Sequence, residues 1–444
     1  MYKENAEKLL KFIENSPSCF HVIDNMAREL EAAGFCCLKE RDGWKLEAGG
    51  AYYVTRNDSA LIAFRIPKSG QCRGFQIVSS HSDSPTFKIK ENPEVESEGC
   101  YVKLNVERYG SVIFSTWLDR PLSAAGRVLV RSRNEQGIVC GLESRLVNID
   151  RDLLLIPTLA IHMNREANNG YIFNPKTDMM PLFGTSSAKS AFLAQVAEAA
   201  GVAPEDIVTT DLCLYNRQKG TVWGAENDFI SSPKLDDLEC AYGSLQGILN
   251  ASGASENVAV HCVMDNEEVG SGTKQGAAGT FMKDVLTRIS RCLGGDEEDY
   301  LRAVAGSLLI SADNAHGVHP NRGDVADSVN RPKMNEGIAI KFSGNQKYSS
   351  DGVSAAVLKM LCEKEAVPVQ IFTNRSDMAG GSTLGNISTS QVSVSSVDIG
   401  LPQLAMHSAY ETAGVKDITH LINLTTAFFS STLEISETDM YRWK

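Results

Sequence analysis

Residues 75–85 read FQIVSSHSDSP, an apolar segment that runs directly into a polar turn. The first half is rich in aromatic and β-branched residues, which favour a strand. The second half presents His81 and Asp83 where that strand should end. A second segment, VAVHCVMDNEE at 258–268, repeats the pattern and ends in Glu267 and Glu268. Continuous apolar runs without alternation indicate strands buried on both faces, as in the central sheet of an α/β protein.

Helix and strand patterns alternate around these two segments. The C-terminal part contains the buried strand patterns GSLLISADN, GIAIKFS and VPVQIFTN, and its last segment, residues 415–435, reads as one long amphipathic helix. Between about residues 92 and 228, short strand-like pieces such as VIFSTWLD (112–119) favour antiparallel β structure. We therefore expect one α/β domain formed by residues 1–91 and 229–444, with a sheet covered by helices on both faces, and a mostly β insertion at 92–228.

Composition excludes several classes of function. The net charge of −12 argues against a nucleic-acid partner, because neutralising phosphates needs a basic surface. The first 18 residues carry charges instead of an export signal, and no apolar run is long enough to span a bilayer, so we expect a cytoplasmic protein without a membrane partner. The 11 cysteines include no CxxC pair, which argues against thiolate zinc ligands and a disulfide framework.

Metal-ligating residue types follow several predicted strands. In an open α/β sheet, the carboxyl ends of the strands form the crevice that binds ligands. Two divalent cations in one crevice need mainly anionic ligands, one of them bridging, with imidazoles completing each coordination shell. Two histidines and three carboxylates meet that need. The candidates are His81, Asp236, the pair Glu267 and Glu268, Asp313 and His407.

Neighbouring residues suggest further roles. A carboxylate at Asp83 could accept the second ring N–H of His81 and fix its tautomer. Of the Glu267–Glu268 pair, one residue could bind metal while the other acts as general base. Taken singly, each feature has a simpler explanation: a polar turn, a solvated acidic pair, or a hydrogen-bonded histidine, as we expect for His261 within its apolar strand. The metal-site hypothesis depends on the features occurring together.

Several longer motifs occur in a fixed order along nearly the whole chain. They are SPSCFHV, SSHSDSP, TWLDRPLSAAGRV, IPTLAIHMNR, KLDDLECAYG, DNEEVGSGTKQGA, SADNAHGVHPN, GGSTLGNIS and MHSAYETAG. In these motifs the chain resembles the aspartyl aminopeptidase (aminopeptidase I) family of dinuclear zinc peptidases. The resemblance implies a three-layer α/β/α zinc-peptidase domain with an inserted, mostly β dimerisation domain.

The resemblance also assigns roles at the site. It implies two Zn²⁺ ions per subunit, for which Mn²⁺ or Co²⁺ could substitute. His81, Asp236 and Asp313 would hold one ion, and Asp236 would bridge to a second ion held by Glu268 and His407. Asp83 would orient His81. Glu267 would be the general base for a water molecule that bridges the two ions.

The substrates implied by the resemblance are peptides with a free N-terminus, often with an acidic first residue. Lys341 and Tyr348 match positions linked to substrate binding. His162, in the insertion, matches a histidine that reaches the active site of a neighbouring subunit. Family members form homo-oligomers, in which dimers assemble into a tetrahedral dodecamer.

This sequence departs from the family pattern in places. The usual RLDN is Lys234-Leu-Asp236-Asp237, and the histidine often found before Glu-Glu is Asn266. These changes affect the expected substrate preference more than the metal ligands. Two alternatives stay open: a related dinuclear metal hydrolase such as a dipeptidase or N-deacylase, and an inactive assembly that binds peptides.

Overall fold

The computed structural model describes residues 1–436 and 439–444. None of the helices in these ranges is both long and apolar enough to cross a bilayer. The helices are α1 (Tyr2–Glu14), α2 (Cys19–Ala32), α3 (Pro175–Asp178), α4 (Phe192–Ala200), α5 (Leu235–Asn250), α6 (Phe281–Cys292), α7 (Glu297–Ala305), α8 (Gly352–Lys364), α9 (Leu384–Gln391) and α10 (Asp417–Ser430). The strands are β1 (Cys36–Leu38), β2 (Ala51–Arg56), β3 (Ala60–Arg65), β4 (Phe75–His81), β5 (Thr86–Ser97), β6 (Tyr101–Tyr109), β7 (Leu122–Arg133), β8 (Val139–Asn148), β9 (Leu182–Thr185), β10 (Ile207–Asn216), β11 (Thr221–Trp223), β12 (Phe229–Ser232), β13 (Val258–Met264), β14 (Leu308–Ala312), β15 (Ala315–His316), β16 (Ile338–Phe342), β17 (Val369–Thr373), β18 (Ser395–Gly400), β19 (Pro402–Leu404), β20 (Glu411–Gly414), β21 (Leu433–Ile435) and β22 (Tyr441–Trp443).

A nine-stranded mixed sheet forms the centre, in the order β1-β2-β3-β13-β4-β14-β18-β16-β17. Successive residues of a strand point to opposite faces, and here both faces are apolar. Val78 packs with helices α1, α2, α5, α8 and α10 on one face, whereas Ile77 packs with α6, α7 and α9 on the other. This arrangement confirms the predicted three-layer α/β/α architecture.

A second sheet lies apart from the first. Its six strands follow the order β8-β7-β10-β5-β6-β9 and pair antiparallel around their own apolar cluster. The proposed insertion boundaries at 91/92 and 228/229 remain predictions. Strand pairing puts the ends of this sheet at Thr86 and Asn216, so the first boundary falls inside β5. The change from the first sheet to the second is therefore better placed at the turn at Pro85 than near residue 92, where the short strand-like pieces begin in the sequence.

Two local predictions were wrong. Residues 114–117, within VIFSTWLD, form a 3-10 turn in which the Thr116 hydroxyl donates to the Ile113 carbonyl, a local bond that competes with strand pairing. The last long helix ends at Ser430 instead of continuing to residue 435. Three hydroxyl residues at 430–432 weaken the helix there, and Leu433–Ile435 pairs with Tyr441–Trp443.

A third sheet lies at the carboxyl ends of β14 and β18, which continue into its strands β15 and β19. Its order is β11-β12-β20-β19-β15. Strand β12 leads directly into the start of α5, and the loop between β19 and β20 contains residues 405–410. This sheet therefore brings two segments that lie far apart in the sequence to the ends of the central strands.

Candidate metal centre

Three neighbouring strands deliver their ends to one cavity. β13, β4 and β14 run parallel and adjacent, so the residues that follow them meet at the same edge of the sheet. The start of α5 and the loop after β19 close the cavity, whose volume is about 150 Å³. All six predicted ligand and base residues line it: His81, Asp236, Glu267, Glu268, Asp313 and His407.

Asp236 lies between the two histidines. Its Oδ1 is 3.5 Å from His81 Nε2, and its Oδ2 is 3.5 Å from His407 Nε2. The group is extended on one side by Asp313, whose Oδ1 is 3.9 Å from His81 Nε2, and on the other by Glu268, whose Oε2 is 3.4 Å from His407 Nε2. Two groups of possible ligand atoms therefore share Asp236: one consists of His81, Asp236, Asp237 and Asp313, and the other of Asp236, Glu268 and His407. A third group joins His81 to Glu267 and Glu268.

These separations fit metal ligands. Ligands about 2.0–2.1 Å from a tetrahedral zinc ion lie about 3.3–3.4 Å from one another. Asp236 Oδ1 and Glu268 Oε1 are buried and have no hydrogen-bond partner among the described residues, and buried polar atoms normally have one. The donor set of two imidazoles and three carboxylates therefore suits two zinc ions with one bridging carboxylate.

The tautomers of both histidines also fit. His81 Nδ1 lies 3.0 Å from the carbonyl oxygen of Asp83, and His407 Nδ1 lies 3.1 Å from that of Ser111. A carbonyl oxygen can only accept, so each Nδ1 carries a proton. In both residues Nε2 is then the ring nitrogen left for a metal ion, and it faces Asp236.

The carboxylates crowd one another in a buried space. Burial and the neighbouring acids raise the pKa of Glu268 well above its usual value, and burial raises the pKa of Glu267 to about 8. Burial also raises the pKa of Asp237, whose Oδ2 accepts the backbone N–H of His81 at 3.1 Å. Burial acts to lower the pKa of His81, but Asp237, Asp236 and Asp313 together raise it well above its usual value. The site therefore needs positive charge, which bound cations would supply.

Asp83 supports the loop that carries the two glutamates. Its Oδ1 accepts the backbone N–H of Glu267 at 3.1 Å, and its Oδ2 accepts that of Glu268 at 3.2 Å. Tyr109 donates its hydroxyl to the same Oδ2 at 2.6 Å. The Asp83 carboxylate also lies 3.4 Å from His81 Nδ1, although the closer partner of that nitrogen is the Asp83 carbonyl.

Sequence reasoning missed two supporting residues. One is Tyr109, which lies at the end of β6 and carries no local signal of its role. The other is Glu411, buried at 1% exposure, which accepts the backbone N–H groups of Asp236 and His407 at 3.0 and 2.8 Å. His407 has a φ of +67°, a conformation that costs a non-glycine residue free energy and clusters at functional sites. The sequence signal for this role was the position of Glu411, four residues after His407 in MHSAYETAG.

Of the three residues predicted to bind substrate, two line the cavity and one does not. Lys341 and Tyr348 line the cavity, and the Lys341 ammonium lies 5.4 Å from the centre of the Tyr348 ring. Phe372 packs against Tyr348 and His316 at the same wall. His162 is exposed on the insertion and is not among the described residues that line this cavity.

Residues 12–429 match the family model described as aminopeptidase I zinc metalloprotease (M18). The chain belongs to this family. Over 419 residues, it is 48% identical to a probable M18 family aminopeptidase 2 of Clostridium acetobutylicum. The aligned region covers 93% of this chain and 96% of that protein. Membership in M18 makes the chain a metalloaminopeptidase and confirms the resemblance inferred from its motifs.

Solved structures share the M18 fold. A chain from the cryo-EM structure of the Ape4 and Nbr1 complex superposes with a TM-score of 0.92 at 35% identity, covering 96% of this chain and 86% of that one. The S. cerevisiae mApe1 dodecamer superposes with a TM-score of 0.84 at 28% identity, covering 96% and 97%. The mixed α/β architecture is therefore that of aminopeptidase I.

Proposed function

We propose that this M18 enzyme is a dinuclear zinc aminopeptidase that removes an acidic residue from the N-terminus of peptides. The observation that carries the proposal is the position of Asp236, whose two oxygens face two different histidines at the same distance of 3.5 Å. A carboxylate shared in this way suits two ions and exceeds what a single ion needs.

The proposal divides the ligands into two sets. His81, Asp236 and Asp313 would hold one zinc ion, and Asp236, Glu268 and His407 would hold the other. Ions bound there would supply polarisation of the scissile carbonyl and a lowered pKa for the attacking water. Mn²⁺ or Co²⁺ could occupy the same nitrogen and oxygen ligands.

Glu267 acts as the general base. It lines the cavity beside the ligands, and its backbone N–H is held by Asp83. It takes a proton from the attacking water and later delivers that proton to the leaving amine. The acidic groups around the cavity suit a substrate with a free, cationic α-amine, which accounts for cleavage at the N-terminus.

Lys341 recognises the side chain of the first residue. It is only 2% exposed, and its Nζ donates to the Asn314 carbonyl at 2.8 Å and lies 3.8 Å from Asp313 Oδ2. Asp313 is shared with the proposed metal, so the ammonium keeps positive charge at the wall of the cavity. A buried ammonium favours an anionic partner such as an Asp or Glu side chain.

The proposal also covers the assembly of subunits and the location of the protein in the cell. The insertion, 92–228, carries an exposed loop with His162 and with Met163 and Ile172, which are 75% and 88% exposed. Such apolar exposure suits a subunit contact. In the proposed homo-oligomer, dimers form a tetrahedral dodecamer and His162 enters the active site of a neighbour. A cytoplasmic location fits the cysteines, all free in the described part of the chain.

A panel of peptides that differ only in the first residue tests this function. We expect Asp and Glu to be released faster than Leu, Met and Ala, and N-acetylated peptides to resist cleavage. Turnover of acetylated peptides would favour an N-deacylase, and cleavage of dipeptides alone would favour a dipeptidase. Fewer than about two metal ions per chain in fresh protein would favour a degenerate, peptide-binding site.

A charge variant tests the substrate assignment. Lys341→Met keeps an unbranched side chain, one atom shorter, but removes its charge, so the preference for acidic residues should fall. Lys364→Met, at the exposed end of α8, is the matched control and should keep the preference. An unchanged preference in the Lys341 variant would refute recognition by this residue.

A further inference from the structure

The side chain of Asn314 is held on every side. Asn314 directly follows Asp313 and is only 2% exposed. Its Nδ2 donates to Glu239 Oε2 at 3.2 Å and to Gln403 Oε1 at 2.9 Å. Its Oδ1 accepts from Cys240 Sγ at 3.0 Å. All these partners are buried, so Asn314 has one orientation that satisfies its amide.

The backbone at Asn314 is held as well as the side chain. The peptide N–H groups on either side are already bound, that of Asp313 to the Ile399 carbonyl at 3.1 Å and that of Ala315 to the Leu401 carbonyl at 2.8 Å. The carbonyl of Asn314 is then directed at Lys341 Nζ, 2.8 Å away. The clamped side chain of Asn314 and these two backbone bonds therefore together hold the carbonyl to which the ammonium of Lys341 donates.

Lys341 has a competing partner. Asp313 Oδ2 lies 3.8 Å from Lys341 Nζ, whereas a direct charge-assisted bond would be about 2.7–2.9 Å long. If the Asn314 carbonyl turned away, the ammonium could close this gap and pair fully with Asp313. Such a pair would withdraw the positive charge from the substrate pocket.

We propose that Asn314, clamped by Glu239, Gln403 and Cys240, is a positioning residue that keeps the Lys341 ammonium directed at the substrate side chain and so sets the selectivity for acidic N-terminal residues. The proposal rests on the function given above, in which Lys341 recognises an anionic side chain. Asn314 itself touches neither the substrate nor the proposed metals.

Asn314→Ala removes the clamp. We expect the KM for a Glu-terminated substrate to rise by about tenfold or more, the scale typical of supporting contacts around a metal site. The KM for a Leu-terminated substrate and both kcat values should stay close to those of the wild type. Calorimetry with free L-aspartate and L-leucine gives a second readout without turnover: binding of aspartate should weaken and that of leucine should not. The zinc content should stay at the wild-type value.

Glu239 provides a second pair of variants in case Asn314→Ala does not fold. Glu239→Gln keeps an oxygen that accepts from Asn314 Nδ2, so it should retain the selectivity. Glu239→Leu has a similar volume but no acceptor, so it should lose selectivity as Asn314→Ala does. Rescue by glutamine separates a positional role from simple filling of space.

Asn257→Ala is the matched control. Asn257 is 4% exposed, its Nδ2 donates to Gln76 Oε1 and the Leu433 carbonyl, and it precedes β13 at the opposite edge of the sheet. Its loss should reduce stability without changing selectivity. A selectivity kept by both Asn314→Ala and Glu239→Leu would overturn this inference alone, and a selectivity lost equally in Asn257→Ala would also overturn it. A wild-type enzyme without any preference for acidic residues would overturn the substrate assignment together with the inference.

Discussion

Asp83 Oδ1 accepts the backbone N–H of Glu267 at 3.1 Å, although 184 positions separate the two residues. Strands β4 and β13 are parallel neighbours, so their following turns meet. The Asp83 carboxylate therefore holds the glutamate loop as well as lying beside His81. This contact gives Asp83 a role that a test on His81 alone would miss.

Asp83→Asn should lower kcat. An amide has one oxygen where the carboxylate has two, so the N–H of Glu267 or of Glu268 would lose its acceptor. We expect a fall of about 10–100-fold in kcat, measured in steady-state assays at saturating zinc. Tyr109→Phe removes one donor and leaves both oxygens, so its effect should be smaller. Wild-type kcat in Asp83→Asn would contradict this role.

Glu267→Gln should retain both metal ions and lose turnover. The amide cannot take a proton from water, and general-base catalysis contributes about 10²–10⁴-fold. Elemental analysis should give the wild-type metal content, while kcat falls by that factor. His407→Ala, which removes a proposed ligand, is the contrasting variant and should lose metal. Unchanged activity in Glu267→Gln would refute the base assignment.

Gly400→Ala should disturb the metal site through the backbone. A methyl group there would lie 2.2 Å from the Asp313 carbonyl oxygen and 2.8 Å from Lys341 Cε, so the chain near Asp313 must move. We expect weaker zinc binding by about tenfold or more, measured by competition with a chelator. Gly352→Ala, which meets nothing within 4 Å, is the control and should bind zinc normally. Equal zinc affinity in the two variants would contradict the expectation.

Removal of metal should destabilise the protein. Without cations, the buried carboxylates around Asp236 face one another uncompensated. Each tenfold rise in free zinc above the dissociation constant should add about 1.4 kcal/mol per site to the free energy of unfolding. A chelator should therefore lower the melting temperature, and added zinc should restore it. Asp236→Asn should show a much smaller shift; an equal shift would argue against Asp236 as a ligand.

His261 should make the protein acid-sensitive. Its burial is confirmed, but the expectation that it is hydrogen-bonded is wrong, since neither ring nitrogen has a partner among the described residues. Burial lowers its pKa to about 3, below an unfolded value of about 6.5. The folded state thus resists protonation, and stability is lost as the pH falls from about 6.5 towards 3.

The His261→Leu variant tests that expectation. Between pH 7.5 and pH 5.5, one such histidine removes about 1.4 kcal/mol from the free energy of unfolding. The leucine variant should lose correspondingly less stability over this range, and it should be more stable at pH 7.5 because an unpaired polar ring is removed. Urea unfolding at the two pH values measures both effects. The same pH dependence in variant and wild type would contradict the prediction.

The sequence by itself determined the three-layer fold and the candidate ligands. Apolar runs such as 75–80 and 258–264 predict buried strands, and the rule that strand ends meet predicts that His81, Glu268 and Asp313 come together. These signals are local, because hydrophobic periodicity and the residue after a strand can both be identified in a short window. The family motifs extended the same information along the chain.

Only the tertiary structure decided how each ligand is held. Three sets of hydrogen bonds join segments on different strands and helices. Tyr109 donates to Asp83, the backbone N–H groups of Asp236 and His407 donate to Glu411, and Asn314 donates to Glu239. Such contacts depend on sheet order and on the third sheet at the carboxyl ends of β14 and β18, neither of which leaves a local pattern in the sequence. The residue types therefore indicate the chemistry of the site, whereas the orientation of its side chains depends on hydrogen bonds between distant segments.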